Sequence, residues 1–148
     1  MNELISNKID KFKEIYKNSE FSFQSKNEIY LNIDKNQFEK VMDNLILNAI
    51  EASKKAKNSE LTIVVEEKYD YGIISVSDNG IGIEEKYTKK IFDPFFSTKP
   101  MSSNWGIGLS FCQKIIEAFG GVILVHSKLH EGTQFTIYIP ATASAARR

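Results

Sequence analysis

Apolar positions recur along this chain with two different periods, and the switches between them lay out its elements. Leu4, Ile5, Ile9, Phe12 and Tyr16 fall at helical spacing and predict an amphipathic helix over residues 1–16, packed on its own domain. Phe21-Ser22-Phe23-Gln24-Ser25 and Ile29-Tyr30-Leu31-Asn32-Ile33 alternate with period two. With Lys26-Asn27 between them they predict a β-hairpin. Asp34 is placed to cap a long helix over residues 35–57, whose apolar face runs through Phe38, Val41, Leu45, Ala49 and Ala52. Residues 61–67 and 71–77 are rich in β-branched side chains and predict two strands joined at Lys68-Tyr69-Asp70. Residues 86–92 predict a short helix. The following stretch to Trp105 holds two prolines and several serines, and no regular element is expected there. Leu109, Cys112, Ile115, Ile116 and Phe119 mark the core face of a last helix, opened by Gly106-Ile107-Gly108 and ended by Gly120-Gly121. Residues 122–127 and 134–139 read as a closing hairpin, and 141–148 as a disordered tail after one domain over 1–140.

Composition narrows the class without choosing the function. A chain of 148 residues, 42% hydrophobic and 26% charged, has the make-up of one globular domain with a sizeable core. Nineteen basic residues balance nineteen acidic ones, so no global field points to nucleic acid or to a membrane surface. Cys112 is the lone cysteine, which excludes an internal disulfide and suits a reducing, cytoplasmic compartment. No apolar run approaches the ~18 residues of a membrane span.

Four stretches carry candidate chemistry. In the strand over 71–77, Ile74, Val76 and Asp78 share a parity, so Asp78 points to the apolar face that helices should cover. An acid placed there needs a partner, because an unpaired buried carboxylate is costly. A purine's amino group is such a partner, and a carboxylate selects it over a carbonyl. On the long helix, Gln37, Asn44, Asn48, Glu51 and Lys55 form a narrow polar stripe, from spacings of seven, four, three and four. Asparagine is a poor helix former, and two of them on adjacent turns suggest a role beyond solvation. An amide oxygen is a neutral, hard ligand suited to Mg²⁺ beside phosphates. The irregular stretch from Glu84 to Trp105, with Phe92, Phe95 and Phe96, reads as a lid anchored by its phenylalanines, with Lys99 able to reach phosphate oxygens. Gly106-Ile107-Gly108 opens a helix whose free N–H groups and dipole favour an anion. His126 and His130 lack an acid partner or metal-like spacing and read as surface residues.

In this order, the stripe of asparagines, Asp78-Asn79-Gly80-Ile81-Gly82, Phe92-Asp93-Pro94-Phe95-Phe96 and Gly106-Ile107-Gly108-Leu109 make the chain resemble the catalytic ATP-binding domain of sensor histidine kinases. That domain belongs to the superfamily shared with gyrase, Hsp90 and MutL. The resemblance implies an α/β two-layer sandwich of the Bergerat type, with a mixed five-stranded sheet on about three helices. It implies ATP and Mg²⁺ as ligands. Asp78 would bind the adenine amino group, assisted by Thr133 of the Gly132-Thr133 pair, directly or through water. Asn48 would coordinate Mg²⁺ and Asn44 would sit by the phosphates. Gly80, Gly82, Ile83, Phe92, Gly106, Ile107, Gly108 and Leu109 would line the nucleotide site, with Asn44 and Lys99 serving the transfer step. The partners implied are a phosphoaccepting histidine domain, missing from this chain, and a response regulator, with the isolated domain a monomer.

Two departures bear on that reading. Many members carry a basic residue and then an aromatic where this chain has Glu51 and Ala52. Neither His126 nor His130 lies in a phosphoacceptor motif. A superfamily ATPase or a serine-kinase anti-sigma factor would carry a glutamate as general base where Asn44 stands, and an amide cannot take that proton. A degenerate docking module, binding no nucleotide, is the remaining alternative.

Overall fold

The computed structural model describes residues 1–94, 96 and 108–142. Their order is α1 (Asn2–Ile15), β1 (Ser19–Ser25), α2 (Lys35–Ala52), β2 (Ser59–Lys68), β3 (Tyr71–Asp78), α3 (Glu85–Thr88), α4 (Gly108–Ala118), β4 (Val122–Lys128) and β5 (Gly132–Pro140). The strands form one mixed sheet in the order β1-β2-β3-β5-β4. Only β1 and β2 run parallel, bridged by the α2 crossover; the other neighbours are antiparallel.

Period-two patterning decides which face of the sheet is covered. Leu61, Ile63 and Val65 of β2, Ile74 and Val76 of β3, and Phe135, Ile137 and Ile139 of β5 are all buried on one face. Against them lie Ile5, Ile9 and Phe12 of α1, the apolar stripe of α2, and Cys112, Ile115 and Ile116 of α4. This is the expected two-layer α/β sandwich. A Lys8–Asp43 ion pair at 2.6 Å ties α1 to α2. At the far end from α2's C-terminus, Tyr69 and Asp70 both have positive φ (53° and 65°), which makes a two-residue hairpin turn of the type I′ kind between β2 and β3.

The short helix expected over 86–92 is confined to α3, Glu85–Thr88, with turns after it, and two larger expectations also need correction. Residues 21–25 and 29–33 do not form a hairpin. β1 pairs in parallel with β2 over Ser19–Ser25, and the Lys26 N–H extends that ladder to Val65. The Asn2 side chain then takes the Ile29 N–H at 2.9 Å and donates to the Asn27 carbonyl at 2.7 Å. Those bonds turn the chain away, so that only Leu31 makes a bridge, to Ala141. The period-two signal in 29–33 reflects Ile29 dropping into the core, not strand pairing.

The second correction concerns α2, which stops at Ala52, five residues short of the expected end. The Ala52 carbonyl accepts from the Ile81 N–H at 3.1 Å, and the Ala56 N–H turns to Ser53 instead. The Ser53 hydroxyl, fully buried, bonds back to the Ala49 carbonyl at 2.7 Å and across to Ser59 Oγ at 2.7 Å. Lys55 therefore lies beyond the helix and leaves the polar stripe.

Candidate nucleotide-binding site

The sheet register brings the predicted purine-reading residues into one row. Asp78 on β3 stands opposite Thr133 on β5, and Thr133 stands opposite Ser127 on β4. All three lie on the helix-covered face at the rim of the sheet. Thr133 is 6% exposed and its hydroxyl lies 2.8 Å from Ser127 Oγ. Ser127 Oγ also accepts the Ile83 N–H at 2.8 Å and donates to the Gly132 carbonyl at 3.0 Å. The inward parity expected of Asp78 is thus the observed one.

The turn after Asp78 is locked from three sides. The Gly80 N–H donates to Asp78 Oδ1 at 2.8 Å, folding the carboxylate over its own turn. Asn79 reaches the start of β2: its Oδ1 accepts from the Glu60 N–H at 3.0 Å and its Nδ2 donates to the Asn58 carbonyl at 2.6 Å. Ile81 bonds to α2 through its N–H, while its carbonyl accepts the His130 N–H at 2.6 Å. The backbones are so close that a Cβ has no room at Gly80, where it would stand 2.4 Å from the Ala52 carbonyl oxygen, or at two further glycines. A Cβ on Gly82 (φ +72°) would stand 2.1 Å from the Lys128 carbonyl oxygen, and one on Gly132 (φ +131°) would stand 2.0 Å from that of Asp78.

The end expected to face the phosphates is built from helices. Asn44 and Asn48 sit one turn apart on α2, both half-buried. The Asn44 Nδ2 donates to the Lys40 carbonyl at 2.9 Å, which turns its Oδ1 toward α4. A Cβ on Gly108 would stand 2.6 Å from that oxygen, so α4 begins against Asn44. The first N–H groups of α4 have no partner within the helix and carry the positive end of its dipole. Amide oxygens beside such a terminus are neutral donors, a set that fits a Mg²⁺ ion held mainly by phosphate oxygens. Among the described residues no group of three His, Cys, Asp or Glu offers an all-protein metal cage.

The remaining predicted residues divide. Ile83 and Leu109 pack against the core, and Phe92 meets the Phe135 ring edge-on at 6.3 Å. Phe96 lies against Tyr87 with ring centroids 5.6 Å apart. Lys99, Gly106, Ile107 and Phe95 lie outside the described residues, as does most of the expected lid. His126 and His130 have exposed side chains. Cys112 is buried between α2 and α4, and burial pushes its thiol up to about 12, so it is packing and not a nucleophile. Sequence reasoning missed Asn79 as the clamp on the turn and Ser127 as a member of the row. A separate groove of about 720 Å³, lined by Ile15, Leu47, Ile50 and Lys54 among others, opens between α2 and the end of α1 and reaches Glu51.

Residues 33–143 match the family described as histidine kinase-, DNA gyrase B- and HSP90-like ATPase. The chain belongs to that family. Its kind within the family is the histidine-kinase catalytic domain. The nucleotide-free catalytic domain of histidine kinase ThkA superposes with a TM-score of 0.83 at 37% identity, covering 95% of this chain and 91% of that one. The sensor histidine kinase WalK of Bacillus subtilis is 33% identical over 118 residues, which covers 76% of this chain but only 19% of WalK. Histidine kinase ThkA in complex with the response regulator protein TrrA matches with a TM-score of 0.77 at 33% identity, over 96% of this chain and 40% of that one. This chain therefore corresponds to the catalytic portion of much longer kinases. No helix among the described residues is long and apolar enough to cross a membrane.

Proposed function

We propose that this domain binds Mg·ATP and donates the γ-phosphoryl group to a histidine on a separate phosphoacceptor domain, as the catalytic part of a two-component sensor kinase. The row of Asp78, Thr133 and Ser127 at the sheet rim, with the α2 amides and the start of α4 beside it, is the observation that carries the reading. Asp78 accepts from the 6-amino group of adenine, with Thr133 adjoining. The phosphates lie toward Asn44 and the first turn of α4. Mg²⁺, when bound, would offset phosphate charge, with Asn48 supplying a neutral oxygen.

In the transfer, a histidine ring nitrogen attacks the γ-phosphorus in line and ADP leaves. The domain contributes position and charge stabilisation rather than a base of its own. Asn44 stands where an ATPase of the family would need a general base, and its amide holds the Lys40 carbonyl instead. The response regulator TrrA bound to histidine kinase ThkA supports a response regulator as the downstream partner here. The domain works in the cytoplasm, where ATP is available.

The test is incubation with Mg²⁺ and ATP labelled at the γ-phosphate. Alone, the chain should bind nucleotide, keep no stable label and release little free phosphate. Adding a helical hairpin that carries the cognate phosphoacceptor histidine should place label on the hairpin. Rapid release of phosphate without an acceptor would contradict this reading in favour of an ATPase.

A further inference from the structure

We infer that Ser127 is a specificity-determining positioning residue, which sets the Thr133 hydroxyl as a hydrogen-bond acceptor and so helps the site choose a 6-amino over a 6-oxo purine. The inference deepens the proposal above and rests on its placing of the base beside Asp78 and Thr133.

It follows from counting protons. A serine hydroxyl has one hydrogen to give and two lone pairs to offer. Ser127 Oγ has three neighbours at bonding distance: the Ile83 N–H at 2.8 Å, the Gly132 carbonyl at 3.0 Å and Thr133 Oγ1 at 2.8 Å. The Ile83 N–H can only donate and the Gly132 carbonyl can only accept. One arrangement satisfies all three bonds together: Ser127 gives its hydrogen to Gly132, and Thr133 gives its hydrogen to Ser127. Thr133 is then left with lone pairs alone to present to a ligand.

The other polar group in the row is a carboxylate, also an acceptor when ionised. Asp78 and Thr133 together form an acceptor-only pair at the place where the purine's 6-position would lie. An amino group there, or a water bonded to it, has hydrogens for such a pair. A 6-oxo group brings a second set of lone pairs and leaves two acceptors facing each other. Discrimination is strong where a mismatched ligand leaves a site's polar groups unpaired. The polarity holds only while Ser127 occupies the Thr133 hydrogen. Without the serine hydroxyl, Thr133 is free to rotate and donate to a 6-oxo group. Thr133 is 6% exposed, so bulk water does little to take over that role.

The probes are ATP and inosine triphosphate, which differ at the purine 6-position and in the hydrogen that the 6-oxo base carries on the adjoining N1. That difference is common to wild type and variants, so the change in their ratio reports on Ser127. Both are titrated calorimetrically with Mg²⁺ into the wild-type chain, Ser127→Ala and Ser127→Thr. The wild type should prefer ATP. Ser127→Ala should reduce the ATP-to-inosine-triphosphate affinity ratio roughly three- to tenfold, the span expected for one neutral hydrogen bond. Ser127→Thr should return the ratio toward the wild-type value. If Ser127→Ala weakens both nucleotides equally, or changes neither, Ser127 is structural only and the inference is overturned. A wild-type chain that binds neither nucleotide overturns the functional reading itself, a distinct result. Should Ser127→Ala fail to fold, Ser127→Cys is measured instead, since a thiol is a weak donor and should lower the ratio in the same direction.

Discussion

The two ends of the proposed site, one assigned to the purine and one to the phosphates, are built differently. At the purine end, the turn from Asp78 to Ile83 is fixed by backbone: Ile81 is bonded to α2 on one side and to the β4–β5 turn on the other. Asn79 stitches the same turn to β2, and Gly82 and Gly132 allow carbonyl oxygens to come within a side chain's reach. At the phosphate end, the groups on offer are two helix side chains and the dipole of α4. A base has one shape and one edge to read, which rewards a rigid frame. A triphosphate with its metal changes during the reaction, which suits side chains and helix termini that can adjust.

The largest effect should come from filling the rigid end. Gly132→Ala or Gly82→Ala would drive a Cβ into a backbone oxygen at positive φ. Each should cost about 3 kcal/mol or more of stability, visible as a steep fall in the thermal midpoint. A melt within a degree of wild type would show that the turn can yield, and would break the contrast. Next comes Asp78→Asn. The amide can still accept from Gly80 but meets the purine amino group without its charge and in part with its own hydrogens. ATP affinity should fall roughly 10- to 100-fold, the range for a hydrogen bond to a charged group, with an unchanged melt.

At the adjustable end, Asn48→Ala should weaken ATP binding by about tenfold or less, the range for one neutral polar contact, and only in the presence of Mg²⁺. Titrations with and without a chelator check this, and an equal loss in both would remove Asn48 from the metal's neighbourhood. The smallest effect should come from the far end of the β2–β3 hairpin. Tyr69 is 83% exposed and holds φ 53°, a conformation that asparagine tolerates better than tyrosine. Tyr69→Asn should raise stability by about 0.5 kcal/mol and leave nucleotide affinity alone. A change in affinity would show that the rim is coupled to the opposite end of the sheet.

How much of this was legible in the sequence depends on whether a residue's role is local. Strand parity alone turned Asp78 inward, because alternation needs no knowledge of neighbours. The spacing of Asn44 and Asn48 likewise put both on one helix face. Ser127 was hidden, because its meeting with Thr133 depends on the β4–β5 register, and that register on a turn in which His130 has φ 67°. Asn79 was legible only as a member of the Asp78–Gly82 motif, whereas its amide spans to residues 58 and 60. The end of α2 was misread for the same reason: residues 53–57 continue a helical pattern locally, but the Ala52 carbonyl is taken by Ile81, twenty-nine residues on. The supposed hairpin at 21–33 failed because β1's partner is β2, across the whole length of α2.

The central claim is that a carboxylate at the rim of this sheet reads the base of ATP. Calorimetric titration of the chain with ATP at fixed Mg²⁺, wild type against Asp78→Asn, with a thermal melt of each, tests it most directly. The account predicts saturable 1:1 binding by the wild type and a loss of at least tenfold in the variant at an equal melting temperature. Equal affinities in the two proteins would contradict it.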